Sequence, residues 1–103
     1  MKKMILVSFS VRTKKFKSRY EISKFFRMLY GWKQIVSSPS KRYEYERDGV
    51  LSSIPYVKID QSSFFVPEDF AEEIINFFEE WSDKVLFKTF KVLVEEDEEW
   101  LKM

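Results

Sequence analysis

The sequence contains neither cysteine nor histidine. Without cysteine there is no disulfide, no thiolate zinc site and no thiol nucleophile. Without histidine there is no Ser-His-Asp triad, no imidazole base and no imidazole metal ligand. Any chemistry would have to run on Asp, Glu, Lys, Arg, Tyr or Ser, so the expectation leans away from an enzyme. Glycine and proline are scarce, 2 and 3 of 103 residues, which argues against disordered or fibrous architecture. No Gly-rich phosphate loop or dinucleotide fingerprint occurs, and no cofactor is expected. Amides are few as well (Asn76, Gln34 and Gln61) beside many Lys and Glu, a composition expected of a hyperthermophile protein. Long apolar runs are missing. The opening stretch Met1–Val7 is interrupted at Ser8 and Ser10 and followed by Arg12, Lys14 and Lys15, with no small-residue cleavage site. The expectation is a cytoplasmic protein with no membrane partner.

What the chain does have is rings: 11 Phe, 5 Tyr and 3 Trp, 18% of all residues. Large aromatic side chains bury much area each, so one domain over 1–103 can build a core without disulfides or metal. No internal repeat or linker divides it.

Apolar periodicity sets the expected elements. Met4–Val11 alternates, with Ile5, Val7, Phe9 and Val11 on one side, and predicts a strand. Ser18 caps a predicted helix to Tyr30, whose stripe is Ile22, Phe25, Phe26 and Leu29, with Gly31 as C-cap. Lys33–Val36 reads as a second strand. Residues 37–55 are open: Ser38-Pro39 can start a short helix, or Tyr43-Glu44-Tyr45-Glu46 can form a hairpin arm turning at Asp48-Gly49, and the balance favours a strand or extended insertion. Tyr56–Val66 reads as one extended stretch. Pro67 opens a helix to about residue 82, with Phe70, Ile74, Phe77, Phe78 and Trp81 on its apolar side. Val85–Val94 is the last strand, with Leu86, Phe90, Val92 and Val94 on one face and Lys88 intruding among them. The order is βαββαβ: an α+β, ferredoxin-like domain, with an antiparallel sheet, both helices on one face, and an insertion between strands 2 and 3.

Charge is distributed in two blocks. Through Arg47 there are 13 Lys/Arg against 3 Asp/Glu; from Asp48 onward there are 5 against 14. Three readings stand: two solvated faces attracting each other within the domain, a nucleic-acid footprint made of Arg12, Lys14, Lys15, Lys17, Arg19, Lys24 and Arg27, or docking of one subunit's basic half on another's acidic half. The run Glu95–Glu99 has no EF-hand spacing and reads as a solvated tail, so no metal site is expected.

Aromatic doublets occur at Phe25-Phe26, Phe64-Phe65 and Phe77-Phe78. Successive strand residues point to opposite faces, so one of Phe64 and Phe65 must leave the helix-covered side. That ring is expected under the 37–55 insertion, in a dimer, or as a stacking platform for a base, and with Trp32, Tyr43 and Tyr45 the doublet forms the candidate interface set for a homodimer. The segment 41–47, which interleaves Lys41, Arg42 and Arg47 with Tyr43 and Tyr45, suits protein and nucleic-acid surfaces equally.

The stretch Ile59-Asp60-Gln61-Ser62-Ser63-Phe64-Phe65-Val66-Pro67-Glu68, leading into an acidic helix and a final strand, resembles the small ferredoxin-like subunit of the CRISPR adaptation complex. It resembles equally the C-terminal domain of phenylacetate-type repressors. Tyr30-Gly31-Trp32 is compatible with both. The resemblance implies sheet-mediated homodimers and, for the former, nucleic-acid contact. The nucleases of that group carry an Asp at the end of the first strand. Here that region reads Ser8-Phe9-Ser10-Val11-Arg12, so the resemblance does not bring nuclease activity with it. The expected function is a non-catalytic, homodimeric interaction module with DNA or RNA as ligand. The alternatives are a structural or protein-binding subunit, and a carboxylate-metal phosphodiesterase using Glu44, Asp48 or Asp60.

Overall fold

In the computed structural model, described for residues 1–95, Ile5, Val7, Phe9, Phe64 and Val66 form one buried face of a sheet, and two helices close over it. The strands are β1 (Lys2–Val11), β4 (Val57–Asp60), β5 (Ser63–Pro67) and β6 (Val85–Val94), in the spatial order β4-β5-β1-β6. Every neighbouring pair is antiparallel. The helices are α1 (Arg19–Tyr30) and α2 (Ala71–Glu80). Phe9 meets Phe25 of α1 at 5.7 Å and Phe78 of α2 at 5.2 Å, so both helices lie on the same side of β1. The protein is therefore α+β, with an antiparallel sheet and two helices.

Local sequence explains these elements. Ser18 takes extended backbone geometry and its hydroxyl accepts from the Glu21 amide at 3.3 Å, as an N-cap should. Gly31 ends α1 with φ of 82°, a conformation open in practice to glycine. Pro67 starts a single 3-10 turn over Glu68–Phe70 that runs into α2. The aromatic richness has a simple use: Phe9, Phe25, Phe64, Phe77, Phe78 and Trp81 contact one another at the centre, mostly edge-on or tilted.

Three expectations need correction. Lys33–Val36 does form a strand, β2 (Trp32–Ser37), but it does not enter the main sheet. It pairs only with β3 (Arg42–Arg47), in a separate two-stranded ribbon. The insertion thus lies between α1 and the sheet's second strand, not between strands 2 and 3. The ribbon's turn is made by Ser38–Lys41, whose Ser38 amide donates to the Lys41 carbonyl at 2.7 Å; Asp48-Gly49 is instead its exit. Finally, Tyr56–Val66 is two strands, broken where Asp60 Oδ1 accepts from the Ser62 amide (2.7 Å) and the Ser63 hydroxyl (2.9 Å). That Asx-type turn competes with continued extension. The acidic run expected to be a solvated tail lies outside the described residues from position 96 on. Among the described residues, no helix is long and apolar enough to cross a membrane.

Candidate functional site

Three surfaces collect the residues singled out by the sequence. The first is cationic. β1 leaves the sheet at Val11, and a 3-10 turn over Thr13–Lys15 follows, pinned by the buried ring of Phe16 against Trp81. Arg12, Lys14 and Lys15 consequently share one shallow hollow on the surface, lined among the described residues by 11–15. Lys17 follows, its side chain exposed. Lys24 and Arg27 are exposed too, but they sit in different company. Lys24 borders a groove with Glu80 and Asp83, and Arg27 borders one with Asp48. The residues of the expected basic footprint thus fall in two settings: a corner whose hollow, among the described residues, is lined by no carboxylate, and a helix face of mixed charge.

The carboxylate of α1 is engaged inward. Glu21 Oε1 accepts from Lys84 Nζ at 2.6 Å and from the Lys17 amide at 3.2 Å, and both charged side chains are only 19% exposed. The hydrogen bond from Lys84 is the largest influence holding the Glu21 carboxyl below its ordinary range, against the desolvation that opposes it.

The second surface is the ribbon. Register places Trp32, Gln34 and Val36 opposite Arg47, Tyr45 and Tyr43 on one face, and Lys33, Ile35 and Ser37 opposite Glu46, Glu44 and Arg42 on the other. Every residue from 35 to 48 is exposed. On the first face Arg27 of α1 lies 4.3 Å from the Trp32 ring centroid, Arg47 lies 5.3 Å from that of Tyr45, and Tyr43 and Tyr45 are 6.5 Å apart and near parallel. Arg47 Nε also donates to Gln34 Oε1 at 2.8 Å. The ribbon's carboxylates are on the second face, where Glu44 pairs with Lys33 and Arg42.

The third surface is the side of the main sheet turned away from the helices. Cross-strand rows run Val57–Phe65–Leu6–Phe90 and Asp60–Ser63–Ser8–Lys88. Phe90 and Leu86 are half exposed on it, at 49% and 50%, whereas Met4 and Val94 at its other end are buried. Of the strand doublet, Phe64 is fully buried in the core and cannot serve an interface. Phe65 occupies the far face, partly exposed. Trp32, Tyr43 and Tyr45 lie on the ribbon, so the candidate interface set is spread over three places.

No protein-family model, curated protein or solved structure matches the chain. Its chemistry must be read from the surfaces alone. Glu44, Asp48 and Asp60 stand on the ribbon, at the ribbon's exit and at the sheet edge respectively; among the described residues no three acidic side chains gather as metal ligands would. The Asp60 carboxyl is held below its ordinary range first by the Ser62 amide, then by the Ser63 hydroxyl, so its turn gives it a structural occupation. Sequence reasoning had Arg47 only as part of the 41–47 segment and missed Gln34 on the aromatic face, because only the register of β2 against β3 brings Gln34 beside Tyr45. It also placed Leu86, Phe90, Val92 and Val94 correctly on one face of β6 without seeing that this face points away from the helices. The intruding Lys88 was the signal.

Proposed function

We propose that the protein is a non-catalytic interaction module of ferredoxin-like layout that acts as a homodimer. The alternation β1, α1, β4, β5, α2, β6, with β1 between β5 and β6, supports that layout, with the ribbon as an insertion after the first helix. One observation carries the dimer: the far sheet face is self-complementary in charge. Its polar row begins at Asp60 on one edge and ends at Lys88 on the other. Two copies stacked face to face about a twofold axis parallel to the strands bring Asp60 of each against Lys88 of its mate, and align the row Val57–Phe65–Leu6–Phe90 with itself reversed. This is the aligned packing that twisted sheets favour, in an isologous interface. A dimer through the sheets is also what the likeness of residues 59–68 to the two families named above implies. Light scattering tests it: the parent is expected at dimer mass at micromolar concentration, and Leu86→Asp/Phe90→Asp at monomer mass. A monomeric parent refutes the proposal.

A second reading, that the module also binds nucleic acid without reading sequence, is favoured by the corner of Arg12, Lys14 and Lys15, whose hollow is lined by no carboxylate among the described residues. Phosphates engaging such a corner release counterions, and affinity then falls steeply with salt. Lys14→Glu/Lys15→Glu is expected to abolish most low-salt binding to labelled duplex; unchanged binding removes this reading.

A further inference from the structure

The ribbon is built unlike the rest of the molecule. The core uses its rings inward, but Tyr43 and Tyr45 stand 44% and 45% exposed on an element that buries no residue. A solvated arm needs no such rings for its own stability, and its strands gain no core by carrying them. The charges are sorted as well. Glu44 and Glu46 are on one face, opposed to Lys33, Arg42 and the Ile35 side chain, while the face with Trp32, Tyr43 and Tyr45 carries Arg47 and receives Arg27 from α1. Rings and cations therefore share one face and the carboxylates of the two strands share the other, with Asp48 at the ribbon's exit lining the groove beside Arg27 and Trp32.

We infer that this ribbon face is a stacking platform for single-stranded nucleic acid. A base offers a flat π-surface and a neighbouring phosphate offers a negative charge, and the platform presents the partner of each in alternation. The Tyr43 and Tyr45 ring centroids lie 6.5 Å apart at 26°, so the two half-exposed rings offer neighbouring π-surfaces to bases of one strand. Arg47 is steadied by Gln34 at 2.8 Å and keeps further guanidinium N–H groups for phosphate oxygens. Unpaired strands are the fitting form because a duplex keeps its base faces stacked on one another, and ring stacking accepts any base. The platform is rigidly rooted. Both of the chain's glycines stand at its base, where a Cβ on Gly31 would meet the Arg47 carbonyl at 2.7 Å and one on Gly49 would meet the backbone of Gly31 and Leu29. Entry and exit strands thus cross at backbone contact, which fixes where the arm points.

The inference deepens the nucleic-acid reading, and its test separates the two. The measurement is fluorescence anisotropy of labelled oligothymidylate and of a duplex of equal length, at low salt, with four proteins: the parent, Tyr43→Ala/Tyr45→Ala, Tyr43→Phe/Tyr45→Phe, and Lys14→Glu/Lys15→Glu. The parent is expected to prefer the single strand. The alanine pair should lose at least about tenfold in single-strand affinity, from two stacking contacts, and the phenylalanine pair, which keeps both rings, should bind within about threefold of the parent. Circular dichroism of the alanine pair should match the parent, since neither ring is in the core. Equal binding by the alanine pair, or a duplex preference, overturns the platform. If in addition the lysine variant loses binding, nucleic acid is bound at the Arg12 corner instead. If the parent binds neither probe, both readings fall; should the alanine pair then be monomeric where the parent is dimeric, the ribbon is a protein interface.

Discussion

Tyr30 shows how one side chain joins two parts of this fold. Its hydroxyl donates to the Gln61 carbonyl at 2.9 Å, tying the end of α1 to the β4–β5 turn, and Lys58 Nζ lies 4.6 Å from its ring centroid. Burial foremost, then the neighbouring Tyr56 and Asp60, push its hydroxyl up to about 12 from 10.0. The folded state therefore keeps the phenolic proton where the unfolded chain has released it. The associated stabilisation is present below pH 10 and is lost as pH rises from there toward 12. Chemical denaturation between pH 9 and 12 should show the parent's midpoint falling through that window. Tyr30→Phe should fall less steeply, after losing about 1 kcal/mol at neutral pH with the hydrogen bond. Glu21 has the opposite sign. Its lowered carboxyl contributes above the ordinary value of 4.5 and stops contributing as pH falls through its folded value, so Glu21→Gln should flatten the acid limb of the same profile. At this scale the sequence was partly legible. The strand doublet required one ring to leave the core, but which one depends on register: Phe64 stands opposite Val7 and Phe65 opposite Leu6. Phe64→Ala should accordingly cost about 3–5 kcal/mol of stability, and Phe65→Ala clearly less, in a urea titration of both.

Among the elements, the helices and β1 were readable because a single apolar stripe determines each. Ile22, Phe25 and Leu29, or Ile5, Val7 and Phe9, leave one way to bury themselves. The region 32–60 was readable only as strands and not in their arrangement, for two physical reasons. The ribbon's alternation is of rings and charges rather than apolar and polar residues, so periodicity identifies strands without saying that neither face is buried. The break between β4 and β5 rests on one carboxylate, Asp60, capping two donors, a local competition that β-branched neighbours mask. The two glycines were read only as a helix C-cap and a hairpin turn. In a chain with 2 of them in 103 residues, both mark a place where backbones touch. Gly31→Ala places a Cβ in a positive-φ conformation and against the Arg47 carbonyl, and should lower the unfolding free energy by about 1–3 kcal/mol. Gly49→Ala should cost at least as much, since the atoms it meets are backbone. Thermal melts that leave either variant unchanged would contradict this account of the ribbon's root.

For the whole molecule, the charge blocks of the sequence meet at some places and stay apart at others. They divide: Glu21 with Lys84, and Lys24 beside Glu80 and Asp83, tie the basic and acidic halves together, while Arg12, Lys14 and Lys15 keep a surface of their own. A nucleic-acid titration should then give a log–log salt slope of about −3 to −4, as for four phosphates, and Lys14→Glu/Lys15→Glu should make it shallower by about 2. The central claim remains self-association through the far face of the sheet, and β6 offers its own control. Lys88 and Lys91 lie three residues apart on opposite faces of that strand, opposite Ser8 and Ile5 respectively. Sedimentation equilibrium of the parent, Lys88→Glu and Lys91→Glu tests the claim most directly. The parent and Lys91→Glu should sediment as dimers. Lys88→Glu, whose new carboxylate would face Asp60 of the mate twice over, should weaken the dimer on the order of 100-fold. A monomeric parent, or two variants that behave alike, would contradict the account.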